Sequence, residues 1–340
     1  MYKGKEATSV TLTEDDLREI LRSWGVTSFE YQKISRGEST QNWLVESTNA
    51  RYVLRNAGSD AAHVNMQNLV LRSLRGHGFP YAVPEPLVTD ARPYVEFGGS
   101  LYMLYHFIDG EPPPSGFDEV LSEEMGALVA AYGKAASAVV YSPLATRHKS
   151  LFDTRLITES LLASARLTTD KSDFVNDYFL RSLDGILKVY GDVSAEEVAR
   201  IKSLERVPCH CDFSAENVLL TGGKITGLID FGGVSVEPRI FDFQNALVNV
   251  AGVSGRVDYS RMRPFTRGYS LIRLLPESES DLVYPLMVAD LTLTLAWIFE
   301  QRRSAECQVK DSEAVFRISL LNWLARHRRE FAERLSHFVK

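Results

Sequence analysis

One stretch of the sequence, VPCHCDFSAENVLL at 207–220, places four chemically capable side chains in consecutive positions. They are Cys209, His210, Cys211 and Asp212. Cysteine and histidine are common zinc ligands, whereas histidine and aspartate without a metal suit proton-transfer chemistry. The stretch is therefore either a metal site or an enzyme loop in which only some of the four residues act.

The cysteine spacing argues against zinc. Structural zinc has four tetrahedral ligands, usually supplied as cysteine pairs two to four residues apart with a second pair elsewhere. Cys209 and Cys211 are separated by one residue, and Cys307 is the third and last thiol in the sequence. Adjacent residues of an extended segment also point to opposite sides. Both thiols are better interpreted as small buried hydrophobic groups.

The other residues have the spacing of a kinase catalytic loop. His210, Asp212 and Asn217 follow the pattern H-x-D-x-x-x-x-N, and an Asp-Phe-Gly triplet begins thirteen positions later at Asp230. Phosphoryl transfer needs a carboxylate beside the attacking hydroxyl and oxygen ligands that hold Mg²⁺ on the nucleotide phosphates. Apolar runs flank a Gly-Gly pair between Asn217 and Asp230, and they predict a hairpin. This hairpin would bring the carboxylate of Asp230 opposite that of Asp212.

These segments resemble a known family. HCDFSAENVLL, GLIDFGG and EPRIFDF are similar to motifs of the aminoglycoside phosphotransferase and choline kinase family, whose members phosphorylate small hydroxyl compounds in a protein-kinase-like fold. SRGESTQNWLVES and GFPYAVPEPL…LYMLYHFIDGE also resemble the homoserine kinase branch. The resemblance covers about residues 30–253, and the last helices carry no motif that matches.

The resemblance implies a role for each matching residue. Asp212 would be the catalytic base, and His210 would organise its loop. Asn217 and Asp230 would bind Mg²⁺, with ATP as phosphoryl donor and a small molecule carrying a hydroxyl group as acceptor. Asp242, in IFDF, would support the loop. For His210 and Asp242 a structural role is the favoured interpretation.

The phosphate-binding residues depart from the usual kinase pattern. The turn SRGESTQN has one glycine, and Ser39 and Thr40 are its candidate phosphate donors. Arg55 stands where a protein kinase has a lysine, so the charge is kept but carried by a planar fork. The glutamate that would pair with it is replaced by Gln67, or by Asn68. We expect a hydrogen bond between Arg55 and this amide instead of an ion pair.

The adenine is expected at the end of the predicted strand LYMLYHFI. His106 and Ile108 would bind it through backbone groups, with Tyr105 and Phe107 as neighbours. The side chains of this segment are equally well explained as core residues.

The predicted elements that position these residues are mostly β-strands in the first third of the chain and mostly helices after it. Short β-rich segments follow a first helix that opens with Thr13 three residues before Asp16, a capping-box pattern. DGEPPPSG at 109–116 is the richest turn signal, and it divides the chain into a nucleotide-binding lobe, 1–108, and a helical lobe, 109–340. Helical patterns cover roughly 61–77, 118–140, 155–166, 173–190, 194–205, 240–251, 257–275, 281–302 and 311–337. The predicted class is α+β, a kinase-like fold of two lobes.

Composition limits the partners. The chain has 340 residues, 45% hydrophobic and 24% charged, with a net charge of −6, so no basic field favours nucleic acid or an anionic membrane surface. No apolar run reaches the roughly 18 residues of a membrane span, and the start lacks a signal-peptide pattern. Three cysteines cannot form a disulfide framework, so a cytoplasmic location is expected. The oligomeric state is open.

Three functions fit this pattern: a small-molecule kinase using Mg·ATP, an inactive kinase fold that only binds ligands, and a protein kinase. No A-P-E follows the Asp-Phe-Gly triplet, and residues 233–242 lead straight into a helix, which disfavours a protein kinase. The lost lysine and glutamate favour inactivity, whereas the intact Asp212, Asn217 and Asp230 favour catalysis. Homoserine, choline-like amines, amino sugars and aminoglycosides are all acceptors of relatives.

Overall fold

The structure is a computed structural model that describes four stretches of the chain: 12–34, 41–141, 151–303 and 309–339. Ser39, Thr40 and Cys307 lie outside the described residues, so the phosphate-binding role expected of Ser39 and Thr40 stays a prediction.

An antiparallel sheet of five strands forms the first lobe. Its strands are β1 (Phe29–Ile34), β2 (Asn42–Ser47), β3 (Arg51–Asn56), β4 (Val95–Phe97) and β5 (Ser100–His106). They lie side by side in the order β1-β2-β3-β5-β4, each pair antiparallel. Two helices accompany the sheet, α1 (Glu14–Arg22) and α2 (Ala61–Gly76). Helix α1 begins with the predicted capping box, in which the Asp16 amide donates to the Thr13 hydroxyl at 3.2 Å.

The two faces of the sheet pack on different partners because side chains alternate along a strand. On one face, Tyr102 and Leu104 of β5 are buried together with apolar residues of α1. On the other face, Leu101, Met103 and Tyr105 join the core that contains α2 and the helical lobe. Strand β5 is therefore buried on both sides and anchors the first lobe to the second.

The second lobe is mainly helical, which confirms the predicted α+β class with two lobes. Its helices are α3 (Glu119–Ala136), α4 (Thr154–Leu167), α5 (Phe174–Gly191), α6 (Ala195–Ser203), α7 (Phe241–Ala251), α8 (Tyr259–Ser270), α9 (Glu277–Gln301) and α10 (Asp311–Phe338). Its short strands are β6 (Arg206–Cys209), β7 (Val218–Thr221), β8 (Lys224–Leu228), β9 (Ser235–Pro238), β10 (Gly252–Val253) and β11 (Arg256–Val257). The predicted hairpin is β7–β8.

The β7–β8 hairpin is fixed by two segments, one between α2 and β4 and the other directly after β5. Glu111, within the predicted boundary segment 109–116, exchanges two backbone hydrogen bonds with Leu220, at 3.1 and 2.8 Å. On the other side, the Ala82 amide donates to the Thr226 carbonyl oxygen and the Ala82 carbonyl oxygen accepts from Leu228, both at 2.9 Å. The hairpin therefore stands in a fixed position relative to the cleft between the lobes.

Helix α9 contains the apolar run 291–299 that the sequence indicated as a buried helix. By length and composition it is apolar enough to cross a membrane, but 83% of its most apolar stretch is buried inside the protein. Burial on this scale is typical of the central helix of a helical lobe.

Candidate active site

Residues 210–217, here called the catalytic loop, follow β6. Their backbone amides hydrogen-bond to side chains of α7. The carboxylate of Asp242, in the first turn of α7, accepts hydrogen bonds from the backbone amides of His210 at 2.9 Å and Cys211 at 2.8 Å. Burial raises the pKa of Asp242 to about 7, although these two hydrogen bonds oppose the rise. The contacts are those of the supporting residue that the sequence suggested.

Asn245 is a second support that the sequence reading missed. It lies one turn after Asp242 on α7, and its side-chain oxygen accepts a hydrogen bond from the Phe213 amide at 2.9 Å. A weak signal was present, because Asp242 and Asn245 are polar residues three positions apart and so share one face of α7, although Gln244 and Asn249 are also polar.

His210 connects the catalytic loop to the hairpin. The side chain is fully buried, and its Nε2 donates to the carbonyl oxygen of Ile229, directly before Asp230, at 3.1 Å. Aromatic rings surround the imidazole, those of Tyr132, Phe213 and Phe231. Burial lowers the pKa of His210 to about 4, so the ring is neutral at physiological pH. A neutral, fully buried imidazole organises the loop and is not placed to exchange protons with a substrate.

Arg55 and Asp230 form an ion pair across the cleft. The Arg55 guanidinium lies 2.7 Å from the Asp230 carboxylate, and the Gly232 amide donates to the same oxygen at 3.1 Å. Burial alone would raise the pKa of Asp230, but the charge and hydrogen bond of Arg55 outweigh it and lower that pKa. Asp230 also has left-handed backbone angles, φ 61° and ψ 68°, which turn the chain sharply after β8.

Asn217 and Asp230 offer the oxygen ligands that Mg²⁺ prefers. The Asn217 side-chain amide donates its N–H to the Asp212 carbonyl oxygen at 3.0 Å, which leaves its own oxygen as an acceptor. The Ile229 amide donates to the Asn217 backbone oxygen at 2.8 Å, so the loop and the strand before Asp230 are joined. An amide oxygen and an ionised carboxylate, already balanced by one cation, fit a hard divalent ion.

Asp212 is the carboxylate of the loop that remains open to a ligand. The residue is exposed to solvent, although neighbouring protein atoms partly desolvate its carboxyl group. Burial, with the neighbouring charge of Asp230, raises the pKa of Asp212 to about 6. Polar contacts from Asn217 and Ser214 and the charge of Arg317 oppose the rise. An accessible carboxylate with a pKa near neutrality can orient a hydroxyl group and receive its proton.

The hydrogen bond expected between Arg55 and Gln67 is not formed in the described part of the chain. Gln67 is buried on α2, but Arg55 donates to Asp230 instead. Another α2 residue contacts the turn that follows Asp230: Nε2 of His63 hydrogen-bonds to the Gly232 carbonyl oxygen at 3.0 Å. The Arg55–Asp230 ion pair forms in place of the expected Arg55–Gln67 hydrogen bond, because a carboxylate binds a guanidinium more strongly than a neutral amide does.

In the described segment that is expected to bind adenine, one backbone N–H group makes no hydrogen bond within the protein. The His106 amide donates to Glu85 at 3.4 Å and the Phe107 amide to Arg51 at 2.9 Å, both through carbonyl oxygens. Among the described residues, the Ile108 amide makes no intramolecular hydrogen bond. The predicted adenine contacts therefore reduce to the carbonyl oxygen of His106 and the N–H of Ile108.

The cysteines beside His210 have the properties of core thiols. Cys209 is 1% exposed, and burial raises the pKa of both Cys209 and Cys211, so neither is the thiolate that binds metals. In the described ranges, no three residues among His, Cys, Asp and Glu form a group that could hold a metal.

Asp212 predicts an acidic limit to activity. Its carboxyl must be ionised to accept a proton, and its pKa of about 6 implies a loss of kcat/KM for ATP approaching tenfold per pH unit below pH 6. Steady-state rates between pH 5 and 8 measure this limb, with circular dichroism at each pH to verify that the protein stays folded. A profile flat down to pH 5 contradicts the prediction.

Comparison with known proteins places this geometry in context. The sequence profile described as the phosphotransferase enzyme family matches residues 30–275. A search of curated proteins finds no match to the sequence.

Several solved structures share the fold. An aminoglycoside phosphotransferase from Alicyclobacillus acidocaldarius is 18% identical, with 99% of this chain and 98% of the other covered and a TM-score of 0.68. A spectinomycin phosphotransferase in complex with ADP and spectinomycin is 16% identical, with coverages of 93% and 99% and a TM-score of 0.69. A microcompartment-associated aminopropanol kinase is 16% identical, with coverages of 91% and 95% and a TM-score of 0.62.

Proposed function

Because the chain belongs to the phosphotransferase enzyme family, we propose that it transfers the γ-phosphoryl group of Mg·ATP to a hydroxyl group of a small molecule. One observation carries the proposal. Asp212, Asn217 and Asp230 meet at one point of the cleft, joined through the Asn217–Asp212 and Ile229–Asn217 hydrogen bonds. The similar fold of a phosphotransferase crystallised with ADP supports a nucleotide as the donor.

In this proposal Asp212 acts on the acceptor. Its carboxylate accepts a hydrogen bond from the acceptor hydroxyl and directs the oxygen toward the γ-phosphorus. As the new P–O bond forms and ADP leaves, the hydroxyl proton passes to Asp212. The transition state of phosphoryl transfer is loose in most analyses, so orientation contributes more than activation of the nucleophile.

The residues on the other side of the cleft hold the donor. Asn217 and Asp230 would bind Mg²⁺, which when present neutralises charge on the phosphates. Arg55 lies beside Asp230, where its planar guanidinium can donate two hydrogen bonds to phosphate oxygens. His210 and Asp242 keep the loop in position and contact neither substrate.

Phosphoryl transfer to a panel of hydroxyl compounds tests the proposal. With ATP and Mg²⁺, we expect ADP formation that depends on one class of acceptor and stops when EDTA removes the metal. Nucleotide binding without turnover on amino alcohols, hydroxy acids, amino sugars and aminoglycosides would support the inactive kinase fold instead.

Replacement of Arg55 tests the phosphate contact. Arg55→Ala removes a charge-assisted contact, and we expect the KM for ATP to rise about 10- to 100-fold with a smaller effect on kcat. Arg55→Lys should restore only part of the loss, because lysine is a point charge without the fork. Arg75→Ala is the control, since Arg75 forms an exposed ion pair with Glu85 at 2.5 Å. Unchanged kinetics in Arg55→Ala would place the phosphate contact elsewhere, with Ser39 and Thr40 as the next candidates.

A further inference from the structure

The beginning of helix α10 borders the catalytic loop. Lys310, at the start of the helix, forms an ion pair with Glu216 of the loop at 3.7 Å. Two turns later, the Phe316 ring packs directly on Gly252, and a Cβ at Gly252 would lie 2.7 Å from the ring. Gly252 follows α7, the helix that holds the loop through Asp242. These two contacts place the first turns of α10 against the catalytic loop and the end of α7.

Arg317 lies on the inward face of this part of α10. Its neighbours at one and four positions, Ile318 and Leu321, are fully buried, and the Arg317 side chain is only 17% exposed. The guanidinium pairs with Glu313 one turn earlier, at 2.6 Å. Its positive charge also lowers the pKa of Asp212, opposing the larger effect of burial. Arg317 therefore places a cation on the part of α10 that borders the catalytic loop, about two turns beyond the Lys310–Glu216 ion pair.

The hydrogen bonding of Arg317 is incomplete. Its Nε is buried and has no hydrogen-bond partner among the described residues, while Glu313 accepts on the Nη2 side. A buried donor left without a partner is costly, and such groups are usually satisfied by a bound molecule, by water or by protein. A guanidinium with a free N–H matches a carboxylate, which can accept from two donors at once.

In the described part of the chain, two acidic side chains on or beside the first turns of α10 are already in ion pairs. Glu216 is paired with Lys310 and Glu313 with Arg317, so each of these negative charges is already balanced. An amino sugar with several ammonium groups would need unpaired carboxylates at this position. Arg317 is likewise paired with Glu313, so the feature that favours a negative group on the acceptor is its unpartnered Nε.

We propose that Arg317 binds a carboxylate of the acceptor, so that the substrate is a small hydroxy acid whose hydroxyl group faces Asp212. The inference rests on the proposed function and narrows its acceptor class. Arg317 is then a specificity residue: it contacts the non-reacting end of the substrate, while Asp212 contacts the reacting end.

Matched substrate pairs test this assignment. Serine and ethanolamine differ by one carboxylate, as do homoserine and 3-amino-1-propanol, and glucosamine represents the amino sugars. We expect the wild-type protein to phosphorylate at least one acid with a kcat/KM at least about tenfold above that of its decarboxylated partner, the scale of one charged hydrogen bond.

Variants of α10 assign the preference to one side chain. Arg317→Gln should lower kcat/KM for the acid about 10- to 100-fold, mainly through KM, and leave the KM for ATP and the rate with the decarboxylated partner nearly unchanged. Arg317→Lys should keep part of the preference. Arg329→Gln is the matched control, because Arg329 pairs with Glu333 on the same helix with 92% of its side chain exposed.

The outcomes separate the inference from the function on which it rests. Equal or better phosphorylation of the decarboxylated compounds or of glucosamine overturns the carboxylate assignment and leaves the kinase assignment standing. Equal losses for both members of a pair in Arg317→Gln also overturn it. If that variant does not fold, the wild-type preference within each pair decides. No transfer to any compound by protein that binds Mg·ATP overturns the proposed function and the inference with it.

Discussion

Asp212→Asn should lower kcat by about 10²–10⁴-fold, the usual contribution of a positioned acid–base group. Asparagine has nearly the same size, so the loop geometry set by Asp242 and Asn217 should persist. What is lost is the negative charge that orients the acceptor hydroxyl and the site that receives its proton. The KM for ATP should change little, because the donor is held by other residues.

Measurement of kcat and both KM values, with the thermal midpoint of each protein, tests this prediction. Glu333→Gln is the control, because it makes the same carboxylate-to-amide change at an exposed ion pair near the end of α10. Near-normal kcat in Asp212→Asn would show that the role of Asp212 has been misassigned. Loss of ATP binding would show that Asp212 belongs to the donor side.

Asp230→Ala should remove the stabilisation of the protein by ATP and Mg²⁺. A ligand present at about 100 times its Kd stabilises a folded protein by roughly 2.7 kcal/mol, and this increment should vanish if Asp230 holds the metal. Turnover should fall with it. The wild-type protein should show the full increment only when ATP and Mg²⁺ are both present.

The nucleotide-free Asp230→Ala protein should also be less stable than wild type. Removal of the carboxylate leaves the Arg55 guanidinium, 11% exposed, without its ionic partner. Asp230→Asn separates the two effects, because it keeps a hydrogen-bond acceptor for Arg55 and for the Gly232 amide but lacks the charge for the metal. Thermal shifts measured with nucleotide alone, metal alone and both decide the matter. An undiminished shift in Asp230→Ala would move the metal site away from this residue.

Local patterns specified most of the elements. The capping box at Thr13 and the Gly-Gly turn between β7 and β8 each depend on neighbouring residues, so they are readable from sequence. The predicted helix at 61–77 is observed as Ala61–Gly76, and the one at 311–337 as Asp311–Phe338. The predicted division at 109–116 falls between the last strand of the sheet and the next helix, and it stays an interpretation of the chain as two units.

Long-range contacts could not be predicted in the same way. The residue pairs Arg55–Asp230 and His63–Gly232 are separated by 175 and 169 positions, so no local pattern connects them. The expected Arg55–Gln67 hydrogen bond was inferred from the position of a missing glutamate. Arg55 instead binds the carboxylate of Asp230 in the other lobe, and this contact exists only because the two lobes pack together.

The sequence alone determined the phosphotransferase motif, because Asp212, Asn217 and Asp230 lie on one continuous segment whose hairpin brings them together. It also determined the order of sheet and helices, through patterns that act over a few residues. The tertiary structure decided which charges meet in the cleft and which helices border the catalytic loop. Arg317 carries no recognisable motif, and its place beside the catalytic loop depends on the packing of α10 against the loop and the end of α7. The phosphotransferase motif was therefore readable from contiguous residues, whereas the helices beside the catalytic loop reach it only when the chain folds.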